Sequence, residues 1–176
     1  MEKSFARKID GKPLFNSLIF GAAVGTFTFI ITHQDYRAGI IVGILTFLIQ
    51  SIVVYPRSLP TLYGFWKITD KNVYYYDYST WKKRISAIFL PVFKKQDVVS
   101  FEDVMSYSLV VNKKSKTNQV TPHFIVLRLD NGHNVALDLS WNLSKSGSPG
   151  EDVEWAVDFI NSKLGQKTVK VFQILN

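Results

Sequence analysis

The residues that could carry chemistry in this chain are few and scattered. Three histidines, His33, His123 and His133, show no metal-ligand spacing among themselves. There is no cysteine, and so no thiolate nucleophile, disulfide or thiolate metal site. The nucleophile elbow G-x-S-x-G, the phosphate-cradling loop G-x-x-x-x-G-K-[ST] and the zinc helix H-E-x-x-H are all missing. Among the carboxylates, Glu102-Asp103 fall in an expected turn and Glu151-Asp152 at an expected helix start, where the helix dipole favours acidity. Asp130 belongs to a turn, and Asp138 is expected to point outward from a strand. Acid–base catalysis needs carboxylates held at a fixed separation, and no such pair is visible. The pattern predicts a protein that is not an enzyme and uses no metal or cofactor.

Positive charge is plentiful by contrast. Among 176 residues, 21 Lys and Arg stand against 14 Asp and Glu, a net +7. Lys82-Lys83-Arg84 and Lys94-Lys95 bracket the apolar segment Ile85 to Phe93, and Lys113, Lys114 and Lys116 lie in a polar loop. A cationic rim around an apolar piece suits anionic lipid headgroups, at about 1 kcal/mol per cation near the surface. The same lysines would serve equally to solubilise two strand ends. Nucleic acid is not an expected partner, because no RNA-binding motif accompanies the charge. Tyr74, Tyr75, Tyr76, Tyr78 and Trp81 are explained by packing along a strand.

The elements that must position these residues begin with two uncharged runs. Pro13 to Gln34 contains no Asp, Glu, Lys or Arg, and neither does Ala38 to Pro56. As a helix, Leu14 to Thr32 reaches about 28 Å, close to the thickness of a bilayer's hydrocarbon core. Only His33, Gln34, Asp35, Tyr36 and Arg37 separate the runs, which predicts a transmembrane helical hairpin over residues 13–56. A signal peptide is excluded by the length of the first run, the lack of an A-x-A-like cleavage site and the second run that follows at once. Lys3, Arg7, Lys8 and Lys12 precede the hairpin, and Arg57, Lys67 and Lys71 follow it. The positive-inside rule then puts residues 1–12, a basic tail, and the C-terminal domain in the cytoplasm, making a multi-pass protein of the cell membrane. Tyr36 and Tyr55 fall where interfacial aromatics are favoured.

Each run carries small or polar residues at helical spacing. The first presents Ser17, Gly21, Gly25, Thr28 and Thr32, and the second Gly39, Gly43, Thr46 and Gln50. Small-xxx-small pairs let backbones approach closely. Antiparallel packing brings Ser17 near the level of Gln50, with a hydrogen bond from Gln50 across the interface expected. Packing within one chain explains these faces; packing against another protein's spans would use them too.

Residues 57–176 are rich in aromatic and β-branched residues, the composition of strands. Strands are predicted over Leu62–Thr69, Val73–Tyr78, Ile85–Phe93 (an edge strand or two shorter pieces, because of Pro91), Val98–Phe101, Met105–Val111, His123–Leu129, Asn134–Leu139 and Thr168–Leu175. Ser148-Pro149-Gly150-Glu151-Asp152 reads as a helix start. Val153, Ala156, Val157, Ile160 and Leu164 form the stripe of an amphipathic helix that Gly165 ends. Asn142-Leu143-Ser144 matches a glycosylation sequon that a cytoplasmic domain would not use. The fold class expected is α+β: an N-terminal membrane hairpin, then an antiparallel β-barrel or sandwich, then an amphipathic helix.

A meander of strands closed by one helix resembles a bacterial pleckstrin-homology-like (PH-like) domain. Lys94 to Tyr107 (KKQDVVSFEDVMSY) looks like the strand-turn-strand element of that family, and Phe124 to Leu139 (FIVLRLDNGHNVALDL) is similar to its late hairpin. Many of its members carry two transmembrane helices before the domain. The resemblance implies a non-enzymatic binding module on the cytoplasmic face that engages a protein partner or anionic lipid, in envelope maintenance or self-immunity to bacteriocins. An accessory subunit of a membrane transport or envelope complex is the alternative, and an envelope enzyme with an unrecognised site is a third.

Overall fold

Four residues before the first apolar run already depart from a tail. In the computed structural model, which describes residues 2–113, 120–139, 151–165 and 169–175, Glu2–Phe5 forms a strand, β1. Phe5 is buried and stacks on Trp66 with ring centroids 4.0 Å apart. Lys3 lays its ammonium over the Trp155 ring and pairs with Asp152 at 2.6 Å. Its charge thus serves the fold locally, and residues 2–5 are a structural edge. Ala6 takes a positive φ of 55°, which turns the chain out of the sheet.

The helical elements follow. Pro13, near the start of α1 (Lys12–Ile31), has no N–H to leave unpaired in the first turn. At the other end the Gln34 N–H reaches back to the Phe29 carbonyl at 3.0 Å, closing the helix, with His33 and Gln34 both at positive φ. Asp35 then caps α2 (Tyr36–Ile49), its carboxylate accepting from the N–H groups of Arg37 and Ala38. A π-helical turn, Gln50–Val54, leads into α3 (Tyr55–Leu62). Pro56 would clash with the carbonyl four residues back in a regular helix; the wider π turn relieves that clash and keeps the helix continuous.

The chain returns as β2 (Trp66–Thr69) and turns at Asp70-Lys71 into β3 (Asn72–Tyr75). It leaves again through α4 (Trp81–Phe89) and a 3₁₀ turn (Pro91–Phe93), and comes back as β4 (Asp97–Ser100). The strand expected over Ile85–Phe93 is therefore a helix and a turn. Thr80 caps it, its hydroxyl accepting from the Lys83 N–H at 3.3 Å, and Ala87 and Ile88 are the buried positions. Its β-branched isoleucines concealed this, since tertiary packing overrides a weak propensity. Pro91 ends the helix.

After a 3₁₀ turn (Phe101–Asp103), three strands run in a meander: β5 (Val104–Lys113), β6 (Val120–Leu129) and β7 (Asn134–Asp138). Then come α5 (Glu151–Leu164) and β8 (Val169–Leu175). Lys114, Lys116, the sequon at Asn142, the helix start Ser148–Gly150 and Thr168 lie outside the described residues, as does the side chain of Lys113.

The strands make two four-stranded sheets, in the orders β1-β2-β3-β4 and β7-β6-β5-β8. The expected closed barrel is not formed: among the described residues no ladder joins the sheets. Pairing is antiparallel except for β8, which lies parallel to β5. A strand that returns through a helix is free to do so. Both sheets and α5 share one core, including Trp66, Ile68, Val73, Ile125, Leu127, Leu137, Ala156 and Ile160. The buried Trp66 indole N–H donates to the Asp138 carbonyl at 2.8 Å. Asp138, expected to face outward, is buried, because the alternation along β7 breaks at its last residue.

The chain separates into two compact units. Residues 1–7, 64–76 and 96–176 form the two-sheet unit; residues 8–63 and 77–95 form the helical unit. The helical unit is two excursions from the first sheet, between β1 and β2 and between β3 and β4. Phe5, Trp66, Tyr75 and Asp97 are register partners across that sheet, so both excursions leave and re-enter at one rung. Both compact units are thus discontinuous in sequence.

Candidate functional site

The helical unit is built inside out. In α1 the buried residues are Pro13, Ser17, Gly21 and Gly25, one per turn, while Phe15, Leu18, Phe27 and Ile30 are more than half exposed. In α2 only Gly39 is buried, and Ile40, Ile41, Ile44 and Ile49 all face out. Lys12–Ile31 and Tyr36–Leu62 are each long and apolar enough to cross a membrane, and within an apolar 18-residue stretch of each only 17% and 11% of residues are buried. The core helix of a water-soluble protein would show the reverse.

The glycines explain the contact between α1 and α2. A Cβ on Gly21 would lie 2.8 Å from the Gly43 carbonyl oxygen and 3.0 Å from Phe47 Cβ. One on Gly25 would lie 2.8 Å from the Gly39 carbonyl oxygen, and one on Gly39 2.9 Å from that of Gly25. Backbone meets backbone, so no side chain can be added without parting the helices. Gly25 sits against Gly39 and Gly43, and Gly21 against Gly43 and Phe47. Continued along the helices, that register sets Ser17 level with Ile49 and Gln50, and Lys12 level with Val54. The hydroxyls of Ser17, Thr28 and Thr32 bond within α1, to the carbonyls of Pro13, Val24 and Thr28 at 2.8–2.9 Å. Thr46 and Gln50 are half-buried; among the described residues the expected side-chain hydrogen bond from Gln50 across the interface is not formed. Beside the glycine stripe an apolar groove of about 520 Å³ opens between Phe29, Tyr36 and Phe47.

The cations divide into two groups. Pro60 has no N–H, so the Pro56 carbonyl lacks its helical donor. Arg84 Nη1 approaches that carbonyl at 3.4 Å, and Arg84 Nε donates to the Tyr78 carbonyl at 2.6 Å. Lys94 donates to the Asp77 carbonyl at 2.7 Å and lies 5.1 Å above the Tyr78 ring. Lys83 pairs with the Asp77 carboxylate. Burial pushes that carboxyl up, but the Lys83 ammonium and the Ser79 N–H and hydroxyl outweigh it and leave Asp77 below the ordinary carboxylate range. Arg84, Lys94 and Lys83 thus tie down the excursion that holds α4. Lys82 and Lys95 are exposed, with no ion pair among the described residues.

Sequence reasoning missed α4, and with it the setting of these cations. The available signal was Thr80 ahead of Trp81-Lys82-Lys83-Arg84, a capping residue before good helix formers, with Arg84, Ala87 and Ile88 at i, i+3 and i+4. Among the described residues no three His, Asp or Glu gather as metal ligands. No family model matches the chain, and no curated protein matches it.

Proposed function

We propose that this chain is a membrane-anchored, non-enzymatic binding module. Its hairpin crosses the cell membrane with both ends in the cytosol, its two-sheet unit lies on the cytoplasmic face, and anionic lipid headgroups are the ligand, met by cations of the helical unit. The outward-facing isoleucines and phenylalanines over buried glycines carry this reading, because such a surface is stable only in lipid. The pairing of β1 with β2 supports a common side for the two ends of the hairpin, and the flanking Lys and Arg favour the cytoplasm. Four strands, then three, then a helix is an order that supports the PH-like resemblance, and with it a role in envelope maintenance or self-immunity. For headgroups the available cations are Lys82 and Lys95, at about 1 kcal/mol each. Reconstituted full-length protein should melt at a higher temperature in bilayers containing phosphatidylglycerol than in phosphatidylcholine alone. High salt and the pair Lys82→Gln with Lys95→Gln should both erase the difference. Equal melting in the two lipids at low salt would discard the headgroup role.

A further inference from the structure

Helix α4 carries two apolar faces, and only one is covered. Ala87 and Ile88 are buried, whereas Trp81 and Phe89 are exposed. The exposed surface continues through Leu90 into the turn, where Val92 is 90% and Phe93 74% exposed. No large apolar side chain among the described residues is more exposed than these two. In water that arrangement is costly, and among the described residues nothing covers it.

The level at which this surface lies follows from the hairpin. Near the start of α4, Arg84 reaches the carbonyl of Pro56, two residues beyond Val54, which is level with Lys12. At its end, the Phe89 ring meets the Phe47 ring edge-on, with centroids 6.5 Å apart. Phe47 lies about 10 Å along the helix axis from Val54, toward the apolar middle. So α4 descends beside the hairpin from its charged rim, and Pro91 turns the chain back at depth. Lys94 then reaches the Asp77 carbonyl again at the rim. These polar ties of the excursion are at its top, and its most exposed apolar residues, Leu90, Val92 and Phe93, are at its bottom, with Trp81 exposed at the rim.

We infer that α4 and the Pro91–Phe93 turn form a re-entrant wedge in the cytoplasmic leaflet. Leu90, Val92 and Phe93 lie among acyl chains, while Lys82 and Lys95 stay with the headgroups. The wedge presupposes that the hairpin spans the bilayer, as proposed above. Acyl chains are the occupant for two reasons. Through Phe47 the bare surface is continuous with the face the hairpin turns to lipid, and the cations that flank it complement an anionic leaflet. A depth of about 10 Å is that of interfacial amphipathic elements.

The chain has no cysteine, so single-cysteine spin labels test the wedge directly in the full-length protein. Labels go at Val92→Cys, Phe93→Cys, Ile44→Cys and Met105→Cys, in vesicles of phosphatidylcholine and phosphatidylglycerol. Collisions with lipid-soluble oxygen and with a water-soluble nickel chelate are compared. Expected are oxygen-dominated collisions at 44, 92 and 93, with 92 and 93 shallower than 44, and chelate-dominated collisions at 105. Chelate-dominated collisions at 92 and 93 with oxygen still dominant at 44 would overturn the wedge and leave the anchor standing. Protection from both reagents at 92 and 93 would also overturn it, pointing to a protein cover such as a second copy. Chelate access at 44 would instead remove the anchor, and the wedge with it.

Discussion

In the two-sheet unit Ile125, Leu127 and Leu137 are shut away from solvent, and Gly132 and Gly165 sit at positive φ in turns. In the helical unit Ile40, Ile44 and Ile49 face outward, and Gly21, Gly25, Gly39 and Gly43 hold the interior. The same residue types thus obey opposite rules within one chain. Water drives large apolar side chains together in the first unit. Lipid tails are as apolar as isoleucine, so in a bilayer nothing would be gained by hiding one, and close van der Waals approach of backbones would decide the packing, as proposed for the second unit. The contrast is the basis of the proposal that the second unit is solvated by lipid.

The largest expected effect sets one rule against the other. Leu127→Ala should cost about 3–4 kcal/mol in the two-sheet unit, because it leaves a cavity in a closed core. Ile44→Ala should cost well under about 1 kcal/mol in bilayers, since lipid refills the space. Unfolding of the reconstituted protein, followed by the two-sheet unit's tryptophan signal and by hairpin proteolysis, checks both. A large loss for Ile44→Ala would break the contrast.

Gly25→Leu comes next. Its side chain must displace the Gly39 backbone, at a cost of about 2–3 kcal/mol to the hairpin. Protease cutting in the turn at Gln34 should appear while the two-sheet signal holds. Equal loss of both signals would show the units to be energetically one.

Arg84→Gln should cost about 1.5 kcal/mol, because it gives up charge-assisted bonds to the carbonyls of Tyr78 and Pro56. Hydrogen exchange should rise in Trp81–Phe89 and not in β6. The smallest effect is a pH dependence. A carboxyl whose folded pKa is lowered contributes stability that is present above its unfolded pKa and lost as pH falls through the folded one. The protection of α4 should therefore fade below the ordinary carboxylate range, and Asp77→Asn should flatten that acid limb.

The hairpin of two long apolar helices was legible because both of its signals are local: uncharged length, and small residues at helical spacing. The amphipathic helix α5 and the hairpin around Asp130-Asn131-Gly132 were legible for the same reason. What escaped depends on partners distant in sequence. Glu2–Phe5 is too short to show a period, and it becomes a strand only because Trp66 offers Phe5 a ring to stack on, more than fifty residues later. Lys3 looked like a topogenic charge and instead lies over Trp155. The apolar, β-branched run between the two lysine clusters suggested a strand, yet Lys83, Arg84 and Lys94 all reach back to residues 77–78, which a strand could not arrange. The last strand, β8, was legible in its own residues, but its parallel pairing with β5 in an otherwise antiparallel sheet was not. The division into units could not be read at all, since a discontinuous unit has no boundary in one dimension.

The most direct test of the central claim, that the hairpin spans the membrane with both flanks in the cytosol, again uses single cysteines. Gln34→Cys in the turn and Met105→Cys on β5 are exposed to a membrane-impermeant maleimide in intact cells and after lysis. The account predicts that position 34 labels in intact cells and that position 105 labels only after lysis. Labelling at 105 from outside, labelling at 34 only after lysis, or recovery of the chain in solution without detergent would contradict it.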